Sequence, residues 1–185
     1  MTDQTILEKF ANPESRSFAF NQLVRKYQQK VYWHIRKMVI DHDDADDLTQ
    51  EVFIKVWENL ANFRGDSQLF TWVYRVATNE CLNFLAKKRR RYFLPIHDIE
   101  GELMEKLEQA AIQTDSPLSG DEIQLKLQKA LLTLPEKQRL VFNMKYFDDL
   151  KYEDIAEITG TSIGALKASY HHAVTKIEKF LNNDD

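Results

Sequence analysis

The chain has 185 residues, 43% hydrophobic and 11% aromatic, enough for one ordinary domain or two small ones and too apolar for a disordered polymer. Its net charge of −4 and pI near 5.8 exclude a protein that holds nucleic acid by overall basicity. The single cysteine, Cys81, excludes an internal disulfide and is too little for a zinc cluster, and no apolar run reaches the roughly 20 residues of a membrane span.

In chain order, the N-terminus MTDQTILEKF lacks the apolar core of a signal peptide, so the expectation is a soluble, cytoplasmic protein. Phe20, Leu23, Val24, Tyr27, Val31, Ile35 and Met38 recur at helical spacing and predict a long amphipathic helix over about 17–40. Ala45, Leu48, Val52 and Val56 predict a second over about 44–60. Phe70, Val73, Ala77, Cys81 and Phe84 predict a third, entered through the turn Arg64-Gly65-Asp66-Ser67, with Asp66 or Ser67 as its cap.

Charge then divides the chain. Residues 1–91 carry 15 basic and 12 acidic side chains, residues 92–120 carry 1 and 6, and residues 121–185 carry 9 and 11. The acidic middle also holds Pro95, Pro117, Gly101 and Gly120, which reads as a linker with a short helix around Leu103–Ala111. A long surface loop within one domain is the alternative. Beyond it, helices are predicted at 121–133, at 135–147 with Pro135 in the first turn, at 152–159 and at 162–181. No segment alternates as a strand does and no internal repeat is visible. The predicted fold is all-α: two small helical domains, 10–92 and 121–183, joined by an acidic linker at 93–120.

Residues 151–179 read KYEDIAEITGTSIGALKASYHHAVTKIEK. Ile155, Ala156 and Ile158 give a short helix its apolar face, Gly160 turns readily to positive φ, and Thr161 or Ser162 can cap the next helix. Ile163 and Leu166 pack that helix back on the first. This is the pattern of a helix-turn-helix, whose second helix enters the major groove; an ordinary helical hairpin shows the same spacing. The outward side of the second helix offers Lys167, Ala168, Ser169, His171 and His172. Lysine suits phosphate or guanine, serine either base type, and alanine a thymine methyl. The two histidines are adjacent and point about 100° apart, which makes them poor co-ligands for a metal.

In the first half, Asp41, Asp43, Asp44, Asp46 and Asp47 crowd the start of the second helix, where carboxylates complement the positive helix end. The His42-Asp43 pair is shared with all-helical metal phosphohydrolases, but only His34 and His97 remain as further histidine candidates and neither lies in such a motif. Asp47, Gln50, Glu51 and Ile54 share the outward face of this helix, a surface for a protein partner or a solvated face. From Phe63 onward aromatics and cations interleave: Phe63, Arg64, Phe70, Trp72, Tyr74, Arg75, Phe84, Lys87 to Arg91 and Tyr92. Rings stack unpaired bases and cations neutralise phosphate, a combination suited to single-stranded nucleic acid. Phe70 and Phe84 are the expected core members; a cationic helix end is the alternative account of Lys87 to Arg91, but the company of the aromatics favours nucleic acid.

The stretches ADDLTQEVFIKVW, NFRGDSQLFTWVYRVATNECLNFLAKKRRR and LPEKQRLVFNMKYFDDLKYEDIAEITGTSIGALKASYHHAV together resemble bacterial RNA polymerase sigma factors of the extracytoplasmic-function group, over about residues 15–92 and 121–181. The resemblance implies polymerase-clamp contacts through Asp47, Gln50 and Glu51. It implies −10 recognition through Phe63, Arg64, Gly65, Ser67, Trp72, Arg75 and Asn79, and −35 contacts through Lys145, Lys167, Ala168, Ser169, His171 and His172. Many members carry arginines in that last stretch where this chain has none. The implied partners are core polymerase, promoter DNA and an anti-sigma factor. No catalytic residue, metal, cofactor or membrane insertion is implied. A stand-alone helix-turn-helix regulator explains residues 121–181 alone and leaves the acidic helix and the aromatic–basic stretch without a role.

Overall fold

A computed structural model of the chain describes residues 1–91, 96–113 and 119–182. Tyr92, Pro95, Pro117 and the side chain of His97 lie outside the described residues. Among the described residues nine α-helices and no strand are present: α1 (Asp3–Ala11), α2 (Arg16–Val39), α3 (His42–Asn59), α4 (Leu69–Arg91), α5 (Ile96–Gln113), α6 (Ser119–Leu132), α7 (Glu136–Phe142), α8 (Tyr152–Thr159) and α9 (Ile163–Asn182). A 3₁₀ turn, Leu60–Asn62, ends α3, and a π turn, Asn143–Phe147, extends α7.

Helix α1 was not expected from the sequence. The Thr2 hydroxyl accepts the Thr5 N–H, closing its first turn, and Ile6 and Phe10 sit one turn apart and fully inside. Helix α2 buries Ala19, Leu23, Tyr27, Val31, Ile35 and Met38 as a continuous stripe. It stops where Ile40 turns to φ +65°. Helix α3 begins at His42 rather than near 44, because the Asp41 carboxylate accepts the Asp44 N–H at 2.9 Å and caps it. Helix α4 starts at Leu69, so Gln68 takes the flanking position expected of Asp66 or Ser67. Phe70 and Phe84 are half-buried at the margin, and Leu69, Tyr74 and Leu85 take the interior places instead. Pro135 precedes α7 in extended conformation, one residue outside the first turn.

Within the acidic middle the helix expected around Leu103–Ala111 is longer among the described residues. Helix α5 runs 18 residues, and Leu103 is buried against Ile40 and Leu132. The two halves also share a core. Val31, Ile35, Val52, Val73 and Ala77 belong to one apolar cluster with Leu140, Met144, Ile155, Ile158 and Leu166. A separate cluster, Leu131, Leu134, Phe142, Ala173 and Ile177, holds α9 on α6 and α7. Periodicity shows which side of a helix turns inward but not which helix it meets, so two independent cores were expected where one runs across both halves.

A polar joint completes this contact. His34, wholly buried, meets the Thr78 hydroxyl at 2.9 Å through Nε2 and the Asp148 carboxylate at 3.3 Å through Nδ1. Lys37 donates to the other Asp148 oxygen. Burial alone pushes the Asp148 carboxyl up, but the hydrogen bond and charge of His34 and the Lys37 ammonium outweigh it and hold the group below its ordinary value. No helix among the described residues is long and apolar enough to cross a membrane.

Candidate nucleic-acid interface

Three surfaces carry the residues singled out in the sequence. On α3 the first is as expected: Asp47, Gln50, Glu51 and Ile54 are exposed, while Leu48, Val52 and Val56 are buried. Beside Gln50 and Ile54 lies a groove of about 470 Å³ lined also by Phe20, Val24, Phe53 and Trp57. Trp57 was missed in the sequence, although Gln50, Ile54 and Trp57 follow i, i+4, i+7 spacing. Its ring stands edge-on to Phe10 at 5.4 Å and Phe20 at 5.0 Å, so this apolar ledge rests on α1 and α2 and is held rigid. At the start of α3, burial opposes ionisation of Asp41, but the Asp44 amide and the Lys106 ammonium at 2.9 Å hold its carboxyl below the usual range.

The second surface is the turn before α4 and the helix itself. Gly65 sits at φ +77°, a conformation that suits glycine, and Arg64 and Gly65 are exposed. The Phe63 ring lies 5.4 Å from that of Trp72, and both are half-buried on the main core. A pocket of about 520 Å³ opens at this turn, lined by Phe63, Arg64 and Gly65 from one side and by Gln4, Glu8 and Arg16 from the other. Helix α1 thus contributes a wall that the sequence reading lacked. Trp72, Arg75 and Asn79 do not line this pocket. Asn79 is exposed further along α4, Ser67 is half-buried, and Arg75 turns toward α8, donating from Nε at 3.1 Å and Nη2 at 2.8 Å to the Glu157 carbonyl.

At the cationic end of α4, Lys87, Arg90 and Arg91 are exposed. Lys88 pairs with Glu102 of α5 at 2.8 Å and with Asp44 at 3.6 Å, and Arg89 pairs with Glu136 of α7. The run is therefore both a helix end with favourable dipole and a surface contacted by the downstream elements.

The third surface is the helix-turn-helix. Gly160 ends α8 in the left-handed conformation at φ +67°, its N–H bonded to the Ala156 carbonyl at 2.8 Å. The Ser162 hydroxyl then accepts the Ala165 N–H at 3.3 Å and opens α9, which settles the cap in favour of Ser162 over Thr161. Leu166 is buried and Ile163 half-buried, so α9 packs back on α8. Lys167, Ala168, His171 and His172 are exposed and Ser169 is half-exposed. Lys145, far from α9 in sequence, joins them: its ammonium lies 5.3 Å and that of Lys167 5.8 Å from the ring of Tyr152. Tyr152 is thus a shared support that the sequence reading missed.

Among the described residues no group of three His, Cys, Asp or Glu side chains is placed to hold a metal ion. His42 is exposed and engages Tyr32 at 2.8 Å and Asp46 at 3.4 Å. Burial pushes the Cys81 thiol up to about 12, so at neutral pH it is not a nucleophile.

Sigma-70 region 2 matches residues 23–91 and Sigma-70 region 4 matches residues 124–177. The chain is 36% identical to the RNA polymerase sigma-H factor of Pseudomonas aeruginosa, covering 97% of this chain and 93% of that protein. It is 32% identical to the ECF RNA polymerase sigma-E factor of Escherichia coli K12, over 96% of this chain and 93% of that protein. Among solved structures it resembles CnrH in complex with the cytosolic domain of CnrY, with a TM-score of 0.69, 20% identity and 99% of each chain covered. It also resembles the sigma factor RpoE in complex with the anti-sigma factor NepR from Bartonella quintana, with a TM-score of 0.66, 21% identity, and 90% of this chain and 98% of that one covered. The exposed acidic helix, the aromatic turn and the helix-turn-helix fall in matched regions in the family's order, and the chain belongs to the sigma-70 family of RNA polymerase sigma factors, in its extracytoplasmic-function group.

Proposed function

We propose that this chain, a sigma factor that directs RNA polymerase to specific promoters, docks on the core enzyme through Asp47, Gln50 and Glu51 of α3. The turn and helix bearing Phe63, Arg64, Gly65, Ser67, Trp72, Arg75 and Asn79 read the −10 element and assist melting. Lys145 and the α9 residues Lys167, Ala168, Ser169, His171 and His172 read the −35 element. Residues 10–92 form the docking and −10 unit, 93–120 the acidic connection, and 121–183 the −35 unit; the matched stretches 23–91 and 124–177 fall inside the outer two and support this division.

The observation that carries the reading is the row Asp47, Gln50, Glu51 and Ile54, exposed beside the apolar groove under Trp57. It gives a partner both charges to pair and an apolar ledge to cover. Docked on polymerase, two weak DNA surfaces act at high effective concentration, so a net acidic protein binds promoters that it holds poorly alone. Unstacking a base costs a few kcal/mol, which ring stacking and a pocket can offset.

No covalent step is needed, and we read the chain as a non-catalytic initiation factor working in the cytoplasm beside the polymerase. Both structural neighbours are described in complexes, one of them with a named anti-sigma factor, and that likeness supports an anti-sigma partner here. The stand-alone regulator is not favoured, because the first half matches the family's region 2.

Reversing charge with Asp47→Lys and Glu51→Lys is expected to weaken core-enzyme binding at least tenfold in a titration while circular dichroism stays unchanged, since both side chains are exposed. Undiminished core binding would remove α3 from the docking surface. Promoter binding that proceeds equally well without core enzyme would restore the stand-alone regulator.

A further inference from the structure

A cavity of about 620 Å³ opens where α2, α4 and the turn after the π segment meet, and no residue given a polymerase or DNA contact above lines it. Lys30, Trp33 and Lys37 recur at i, i+3, i+7, so one face of α2 brings a ring and two cations to it. Phe70 and Tyr74 of α4 form the next wall, their ring centroids 4.3 Å apart. The Tyr74 hydroxyl donates to the Lys30 carbonyl at 3.2 Å and ties this wall to α2. Phe147, Asp148 and Leu150 close the third side.

Surface and backbone both depart from the ordinary here. Trp33 is 53% exposed and Phe147 38%, so two large rings stand at the cavity with little cover. Asp149, between two lining residues, has φ +50°, and Asn143–Phe147 is a π turn. Such departures gather where a chain shapes a site. Charge then selects the occupant. The Asp148 carboxyl, held below its ordinary value despite burial by its bonds to His34 and Lys37, is ionised at neutral pH and neutralises the Lys37 ammonium. The Lys30 ammonium lies 5.7 Å from the Phe70 ring, and among the described residues no carboxylate pairs with it. One cation is left uncompensated in an aromatic cavity.

We propose that this cavity binds a small planar aromatic carboxylate, its ring stacked against Trp33 and Phe147 and its carboxylate on the Lys30 ammonium. An apolar lining with a few placed polar groups is the make-up of a small-molecule site, and the volume lies in the usual range. Planar rings gain from offset or edge-on contact with Trp and Phe. A charge-assisted bond to Lys30 fixes the orientation, and the exposed Gln29 offers an amide to the second carboxylate oxygen. A neutral ring leaves Lys30 unpaired, and a second negative charge on the ligand faces Asp148. The three walls come from segments far apart in the chain, so occupancy stabilises their arrangement by mass action.

Isothermal titration calorimetry on the full chain tests this with benzoate, indoleacetate and the neutral indoleacetamide. Indoleacetate is expected to bind one-to-one and at least tenfold more tightly than indoleacetamide. Lys30→Gln is expected to abolish that preference and Lys30→Arg to keep it, while Trp33→Ala weakens both ligands at least fivefold. Both positions are exposed, so circular dichroism of these variants should match that of the unmodified chain. Trp57→Ala, in the groove beside α3 whose lining carries no charged side chain, is the control and is expected to leave binding as it was. Equal affinity for acid and amide, or a preference that survives Lys30→Gln, overturns the proposal. Binding that Trp33→Ala leaves undiminished puts the ligand elsewhere and overturns it too, with a fall in Trp57→Ala locating it in the other groove. Failure of both indoleacetate and benzoate to saturate at millimolar concentration removes the ligand class altogether.

Discussion

Tyr152 shows how one side chain can organise two others. Lys145 comes from the π turn and Lys167 from α9, yet both ammonium groups lie within 6 Å of its ring, and Lys145 also donates to the Leu150 carbonyl at 3.1 Å. For the −35 contacts proposed above, the lysine heads are thus positioned in advance, which would lower the entropy lost on contact. Lys167→Ala in the holoenzyme is expected to cost about 1–3 kcal/mol at a single upstream base pair if the ammonium reads a base edge. Competition among upstream sequences changed one pair at a time checks this. A uniform loss at every sequence, with a flatter salt dependence, would assign Lys167 to a phosphate instead.

At the scale of elements, the turn between α8 and α9 depends on one backbone conformation. Gly160 sits at φ +67°, and a Cβ placed there meets nothing within 4 Å, so substitution is penalised by the backbone alone. Gly160→Ala is expected to cost about 1–2 kcal/mol in denaturant unfolding of the full chain. Gly164→Ala, equally uncrowded but inside α9 with ordinary φ, is expected to stabilise by about 0.5 kcal/mol. A similar effect at both positions would show that the positive φ at Gly160 does not govern the turn. This turn was legible in the sequence because its signals are local: an apolar face, a glycine, then a hydroxyl cap. Helix α1 was not, since Ile6 and Phe10 supply a single i, i+4 pair and no period. The full length of α5 was masked by the prolines and charge that mark a linker. On the site itself, the outward row of α3 followed directly from spacing. The pocket wall from α1 and the turning of Arg75 toward Glu157 arise from contacts between segments far apart in sequence.

For the molecule as a whole, the joint at Asp148 is the contact least visible in advance, linking residues 114 positions apart. Asp148 faces His34 and Lys37, and the His34 ring is packed against Tyr74 and bonded to Thr78. Asp148→Asn is expected to lower stability by about 1–3 kcal/mol, because it weakens charge-assisted bonds in a nearly buried place. The sign with pH follows from its depressed carboxyl. The stabilisation is complete above the ordinary value of 3.8 and is lost as pH falls below it through the lower folded value. The stability gap between the unmodified chain and Asp148→Asn, followed by thermal unfolding from pH 7 to pH 2.5, should therefore hold steady to about pH 4 and narrow below it. A gap that widens on acidification would mean that Asp148 does not carry the joint.

Ile40 adds a mechanical consequence. A β-branched residue at φ +65° is a loaded spring, costing about 1–2 kcal/mol, held down by Leu103 of α5 and Leu132 of α6. The burial that these two helices give the Ile40 side chain is what offsets the cost of its backbone, so the end of α2 is held in shape by helices far along the chain.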